Sequence, residues 1–437
     1  MTAVKRRRTR STVLAAVTAL AGFAAVIVLG VTGVQSLRDS TAGQQAEGQA
    51  ETVATQRLPF TSTALVGVVD DELRLTSVAV WVLDPSGVGG SITGLAATAD
   101  ASSGTFDTLS PLAAVYEVDG PEEFLAAAER LTGLTFDMVE VLDEQRFTQI
   151  ISPLGDLPVL FPVPFADASS GEAWEAGETT LAPPAAARAI TATDPSVEDW
   201  YLESPRAAVW QAVADRIGFG VGSIAPSASD VDVPVPQSLG EFAERLYAAP
   251  VDFRAVEFAP IGPERIEAQL PDRYVGVLGP VESVVAHDRA DMTILLGSIA
   301  PGRIGAPLDA PVFRVVASFT DADLEPLGLN QTDVLKRAVD RLFFAQANIV
   351  SVADVVGGPV PEVTRVEVAD AEVIDAVRSV YEPLFGEIEV VEAEVRIDGI
   401  DIEVVLGRTF LDEVRGETAG DVAGFGSDDG SDVASDG

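Results

Sequence analysis

Residues Ser11 to Leu37 contain no charged side chain, and this stretch constrains the chain more than any other part of it. Its apolar heart runs from Val13 to Val34, and Lys5, Arg6, Arg7, Arg8 and Arg10 stand just before it. A helix needs ~20 apolar residues to cross a hydrocarbon core, because every backbone N–H must bond within the segment. A basic flank keeps its own side in the cytoplasm. The sequence therefore predicts a basic cytoplasmic N-terminus at 1–11, a single transmembrane helix over 12–37, and the bulk of the chain outside the cell. A cleaved signal peptide would carry a shorter apolar region, ~7–15 residues, and a small-x-small site. Val34-Gln35-Ser36-Leu37-Arg38 is a poor cleavage site.

The charge balance excludes one class of partner. The chain has 28 basic and 68 acidic residues, a formal charge of −40. Lys5 and Lys336 are its only lysines. A surface this acidic repels nucleic acid and anionic headgroups, so no nucleic-acid partner is expected. There is no cysteine, which rules out disulfides and thiolate metal sites.

The ends of the exterior part read as unfolded. Residues 38–58 are rich in Gln, Ala, Gly, Thr and Glu without an apolar period, as in a linker. Residues 416–437 hold Asp421, Asp428, Asp429, Asp432 and Asp436 and no cation, an acidic tail with too little apolar surface to offset its ordering entropy. Asp428–Asp432 lacks the spaced ligands and closing Glu of an EF-hand.

Two folded regions lie between, at 59–301 and 308–415. In the first, Leu75–Val82 alternates and ends at Asp84-Pro85-Ser86-Gly87, which reads as a strand and a turn. Pro121–Leu131 is a helix with Pro at its start, acids in its first turn and Gly133 after its end. Phe136–Val141 reads as a strand, Phe147–Ile151 as a helical turn and Pro205–Ile217 as a helix. Tyr274–Leu278 and Met292–Leu296 read as strands. In the second region, Val312–Ser318 and Val363–Val368 read as strands. Thr332 is placed to cap a helix with Val334, Leu335, Ala338, Val339, Leu342 and Phe343 inward, and Asp370–Leu384 is a further amphipathic helix. Glu387–Ile397 and Ile400–Leu406 flank Asp398-Gly399, a hairpin signal. Glu387, Glu389, Glu392, Glu394, Asp401 and Glu403 alternate along it as a solvated sheet face. The expected fold class is mixed α/β: a central sheet flanked by helices, then a smaller α/β domain.

The order of elements in the first region resembles the LytR–CpsA–Psr family of cell-envelope proteins. Gly120-Pro121-Glu122-Glu123-Phe124 through Leu131-Thr132-Gly133-Leu134-Thr135-Phe136-Asp137 looks like that family's Gly-Pro-led helix, its exit and the strand after it. Leu154-Gly155-Asp156-Leu157-Pro158-Val159 resembles a Gly-Gly-Val turn with one Gly replaced. Ile402-Glu403-Val404-Val405-Leu406-Gly407-Arg408-Thr409-Phe410 is similar to the end of the small C-terminal domain often appended to such proteins. The resemblance implies an anchored enzyme that moves a glycopolymer from a polyprenyl-pyrophosphate carrier to peptidoglycan with a divalent metal.

The chemistry of that reaction needs several guanidinium groups on the phosphate oxygens and an Asp on the metal. The family's Arg-x-Asp falls on Arg74, Leu75 and Thr76, so the Asp is absent. Its Pro-Arg-Asp falls on Thr98, Ala99 and Asp100, so the Arg is absent. Its Arg-x-Arg falls on Thr191 and Thr193. Its Asp and two Args fall on Asp199, Glu203 and Arg206, one cation having become an acid. The candidates left are Arg74, Asp100, Asp199 and Arg206, with Asp100 as the metal candidate. Each has a plainer reading: a strand edge for Arg74, a loop acid for Asp100, a surface helix-cap pair for Asp199 and Arg206. His287, the only histidine, reads as a surface or strand-end residue. Gly218-Phe219-Gly220-Val221-Gly222 follows a helix and so is not a phosphate loop.

These residues predict an anchored, non-catalytic envelope protein that binds a polyprenyl lipid, a wall glycopolymer or partner proteins as a scaffold. The alternatives are an active transferase using the four candidates, and a purely structural envelope protein. No cofactor is expected, with Mg2+ needed only by the transferase.

Overall fold

Every residue of Thr63–Val69 (β1) and of Leu75–Leu83 (β2) is buried. A strand covered on both faces sits in the middle of a layered α/β fold. The computed structural model describes residues 54–102, 108–218, 233–278, 283–305, 311–355 and 358–415. The expected transmembrane helix, the N-terminus before it, most of the linker and the acidic tail lie outside the described residues. So does all of the Gly218–Gly222 stretch except Gly218. Among the described residues no helix is long and apolar enough to cross a membrane.

Gly90–Leu95 (β3) pairs antiparallel with β2, which pairs antiparallel with β1. Met138–Leu142 (β4) runs parallel to β1, and Val251–Ala255 (β5) parallel to β3. The sheet order is β5-β3-β2-β1-β4. Leu65, Val78, Val80 and Val82 face Leu112–Asp119 (α1), Pro121–Thr132 (α2) and Arg289–Ile299. Ala64, Val66, Ala79 and Trp81 face Glu144–Ile151 (α3), Pro183–Thr191 (α4), Trp200–Ile217 (α5) and Leu239–Tyr247 (α6). On this side Trp81 and Trp210 meet edge to face with ring centroids 6.0 Å apart, and Phe147 and Phe242 close the cluster. The Trp210 indole N–H donates to Ser77 Oγ at 3.0 Å.

The second sheet holds Val312–Ala317 (β6), Asn348–Asp354 (β7), Thr364–Val368 (β8), Ile388–Glu392 (β9) and Ile402–Val405 (β10), in the order β7-β6-β10-β8-β9. Arg289–Ile299 (α7) joins the two sheets. Met292, Leu295 and Leu296 enter the first core, while Ala290 and Ile294 enter the second beside Gln331–Phe344 (α8). Lys336 on α8 fixes this junction, its Nζ 2.7 Å from Asp288 Oδ2 and 3.6 Å from Glu257 Oε2.

Several expectations change. Met292–Leu296 is helix, not strand, because its apolar run serves two cores and leaves no polar stripe. Tyr274–Leu278 is also not a strand: Asp272–Tyr274 is a 3-10 turn. The Asp398-Gly399 turn is present, with Gly399 at φ 82°, but the segments around it do not pair as a hairpin. β10 instead enters the sheet between β6, parallel, and β8, antiparallel. The cap of α8 is Asn330, not Thr332, in a capping box with Asp333. The helix expected from Asp370 begins at Ile374 (α9, Ile374–Phe385), after a 3-10 turn that Asp370 caps, and α5 begins five residues before Pro205. Val373 and Val380, apolar residues of this segment, are exposed.

Candidate functional site

One end of the first sheet opens into a cavity of about 310 Å³. Arg74, Leu75 and Thr76 reach it from the start of β2, Thr98 from beyond β3, Ala113 and Glu117 from α1, and Thr193, Asp194 and Asp199 from the segment between α4 and α5. Arg74, Thr76, Thr193 and Asp199, equated from sequence with charged family positions, thus line one cavity, and Thr98, equated with a proline, joins them. Thr191 does not line it; its hydroxyl donates to the Ala187 carbonyl at 3.0 Å.

Among the described residues Arg74 is the only cation on the lining, and its charge is already matched. The chain turns between β1 and β2 at Asp70–Arg74. There Arg74 Nε donates to Asp70 Oδ2 at 2.8 Å, and Nη2 lies 2.9 Å from Glu72 Oε2. Asp70 Oδ1 accepts the backbone N–H groups of Glu72 and Arg74, so the clamp is part of the turn. Glu117 faces the same space; burial pushes its carboxyl above the ordinary range, with Arg74 opposing and Asp70 adding to the shift.

Arg206 does not line the cavity and is not a surface residue. It is 1% exposed, because residues 199, 203 and 206 fall on one face of α5 that packs inward. Its Nη2 donates to Asp199 Oδ1 at 2.9 Å and to the Ala192 carbonyl at 3.1 Å. Its Nη1 donates to Asp199 Oδ2 at 3.0 Å and to Glu203 Oε1 at 3.1 Å. Glu203 also accepts from the Ala97 N–H at 3.2 Å. Burial drives the Glu203 carboxyl up to about 8, against the pull of Arg206. Glu203 thus pairs with Arg206 inside the fold, and only Asp199 of the three lines the cavity.

Asp100 is likewise turned to structure. Ser102 donates to it through Oγ at 2.6 Å and N at 3.0 Å, Ser110 N donates at 2.9 Å, and Arg265 lies 3.8 Å away. With both oxygens engaged it does not fit the metal-holding role. Among the described residues no group of three His, Asp or Glu side chains could hold a metal ion. His287 is a strand-end residue, half-buried, with both ring nitrogens engaged. Its Nε2 accepts from Ala96 N at 3.3 Å and its Nδ1 lies 3.1 Å from the Glu257 carbonyl, which fixes a neutral tautomer. Burial lowers its pKa to about 4.

The sequence reading missed Asp167. It is buried, and it accepts from Ser169 Oγ at 2.6 Å, Ser170 N at 2.8 Å and Thr193 N at 3.1 Å. Burial alone would raise its pKa; these bonds prevail and bring it to about 2. Asp167 thereby ties together the two loops that form one side of the cavity. The run Asp167-Ala168-Ser169-Ser170-Gly171 is the local signal for such a turn. Glu117 and Asp194 were also missed, since isolated acids carry no pattern.

No protein-family model matches the chain, and no curated protein does. Solved structures that it is similar to include B. subtilis TagV, at 15% identity and a TM-score of 0.37 over 54% of this chain and 93% of that one. TagT bound to LIIa-WTA gives 10% identity and 0.35 over 54% and 88%. The LytR-CPS2A-psr family protein TagT with bound octaprenyl pyrophosphate lipid gives 10% and 0.33 over 54% and 87%.

Proposed function

We propose that the chain is a divergent LytR–CpsA–Psr protein, anchored by residues 12–37 with its folded part outside the cell, and that it does not turn over a lipid-linked pyrophosphate. One observation carries this reading. Of the positions equated with the family's phosphate-binding set, Arg74, Thr76, Thr193 and Asp199 share one cavity, and there they present one arginine, two threonines and one carboxylate. Glu117, Asp194 and Asp199 outnumber Arg74, which is itself clamped by Asp70 and Glu72. A diphosphate entering this space meets the carboxylates of Glu117 and Asp194, and among the described residues the lining offers no guanidinium that is not already paired.

The cavity also bears on what the protein does instead. Its volume lies at the lower end of the ~300–1,000 Å³ of small-molecule sites. Trp81, Trp210, Phe147 and Phe242 fill the space between the sheet and α5 and α6. The role we assign is therefore scaffolding in cell-wall glycopolymer assembly through a small polar ligand or a partner. The test is a transfer and pyrophosphatase assay on the purified protein with a polyprenyl-pyrophosphate glycopolymer and Mg2+. No turnover is expected; turnover abolished by Arg74→Ala would establish the transferase instead.

A further inference from the structure

The second domain carries an apolar face that its own core does not use. On α9 the inward residues Val377, Tyr381 and Phe385 belong to the core of the second sheet. Val373, in the turn that leads into α9, and Ala376, Val380 and Pro383 on it all point outward and are exposed, Val373 at 39% and Val380 at 53%. Steps of three, four and three residues place them in one line about 15 Å long. Folding does not call for this line: valine is a poorer helix former than alanine or lysine, and an exposed valine buries little on folding. The same spacing is the one at which a second helix packs along the first.

The border of the line decides which helix fits. Glu372, Asp375 and Glu382 flank it, all exposed, and Glu387 follows just beyond the helix end. Arg378, the one cation of α9, pairs with Asp375 at 3.5 Å. Pro383 has no N–H, so the exposed Ser379 lacks the usual helical donor to its carbonyl. The last turn of α9 holds no basic residue to offset the partial negative charge of the helix end. A second copy of the chain would set the same acids against these, and four residues fall far short of the ~800 Å² per partner of a stable dimer.

We propose that this face of α9 docks a basic amphipathic helix of a partner protein. The partner's apolar side chains lie along Val373, Ala376, Val380 and Pro383. Its Lys or Arg side chains meet Glu372, Asp375 and Glu382, and one of them donates to the Ser379 carbonyl. Apolar contact supplies the affinity, while the acidic border selects the partner's charge and makes binding weaken with salt. The inference does not depend on the reading of the cavity.

Surface plasmon resonance on the full-length protein in phosphatidylcholine nanodiscs, referenced to empty nanodiscs, tests it. The probe is a helical leucine–lysine peptide of about 18 residues with leucine at three-and-four spacing. The controls are the same composition in scrambled order and a version with glutamate for lysine. The probe should bind saturably, at least about tenfold tighter than either control. Val380→Gln, neutral and a better helix former, should weaken the probe about tenfold, the scale of one buried valine, and leave the melting temperature unchanged because Val380 is exposed. No saturable binding up to ~1 mM, scrambled peptide binding equally well, or binding that Val380→Gln leaves unchanged overturns the inference. A cross-linked dimer that Val380→Gln abolishes would make a second copy the occupant and overturn it too.

Discussion

Glu203 Oε1 lies 3.1 Å from Arg206 Nη1, one helical turn away on α5, with both side chains buried. The two acids and one base of the Asp199–Glu203–Arg206 group cannot all be charged without excess buried charge, and Glu203 gives way. Its carboxyl rises from an ordinary 4.5 to about 8. The unfolded chain thus releases this proton at lower pH than the folded chain, so stability is highest below about 4.5 and falls as pH rises towards 8. Glu203→Gln keeps the shape without the proton. Its melting temperature should fall less than that of the wild type between pH 5 and 8, by a few degrees. Parallel melting curves would show that Glu203 is charged throughout.

Arg206→Leu tests the same group from the other side. Removing the cation leaves Asp199 and Glu203 without their shared partner, a loss on the order of 3–5 kcal/mol for a buried pair. Arg74→Ala breaks an ion pair whose arginine is 43% exposed, worth about 0–1 kcal/mol. Denaturant unfolding should therefore separate the two arginines by several kcal/mol, as expected of an internal strut and a surface clamp.

Leu73 occupies a turn position at φ 64°, where a side chain strains the backbone, and it is 65% exposed. Its apolar surface gains little from folding, while the left-handed conformation costs about 1–2 kcal/mol. Leu73→Asn, which tolerates that conformation, should raise stability by roughly 1 kcal/mol in urea. A loss of stability would mean that Leu73 makes packing contacts that its exposure does not reveal.

These sites show where sequence sufficed. The Pro121–Thr132 helix was legible because its signals are local: Pro at the first position, Glu122 and Glu123 in the first turn, and Gly133 at φ 72° closing it. The string Leu406-Gly407-Arg408-Thr409-Phe410 was legible as a pattern, and its cause is steric. A Cβ on Gly407 would collide with the backbone of Val363 and Thr364, and Phe410 is fully buried. Partnering was not legible. An Asp-Gly turn announces a reversal, but the place of β10 between β6 and β8 depends on residues 34 or more positions away (Val368 to Ile402). α7 was misread because helical periodicity needs a polar face and α7 is covered by two cores. At the site, four positions equated from the sequence line the cavity, but only packing revealed that Arg206 points inward and that Glu117 and Asp194 complete the lining.

His287 provides a final probe, because it is the only histidine and its ring signals can be assigned without ambiguity. Desolvation depresses its pKa from 6.5 to about 4, with the Glu257 carbonyl opposing weakly. The unfolded chain takes up the proton first, so the contribution of His287 to stability is present above about 6.5 and is lost as pH falls through 4. This acid-side loss is opposite in sign to the Glu203 effect, so a melting series from pH 4 to 8 measures the balance of the two. His287→Gln removes one without disturbing the other. In proton NMR the imidazole should stay neutral to near pH 4, its Nδ1–H donating to the Glu257 carbonyl. A ring that titrates near 6.5 would mean that the Phe258–Pro260 and Val285–His287 pair opens to water in solution, and with it the segment that leads into α7.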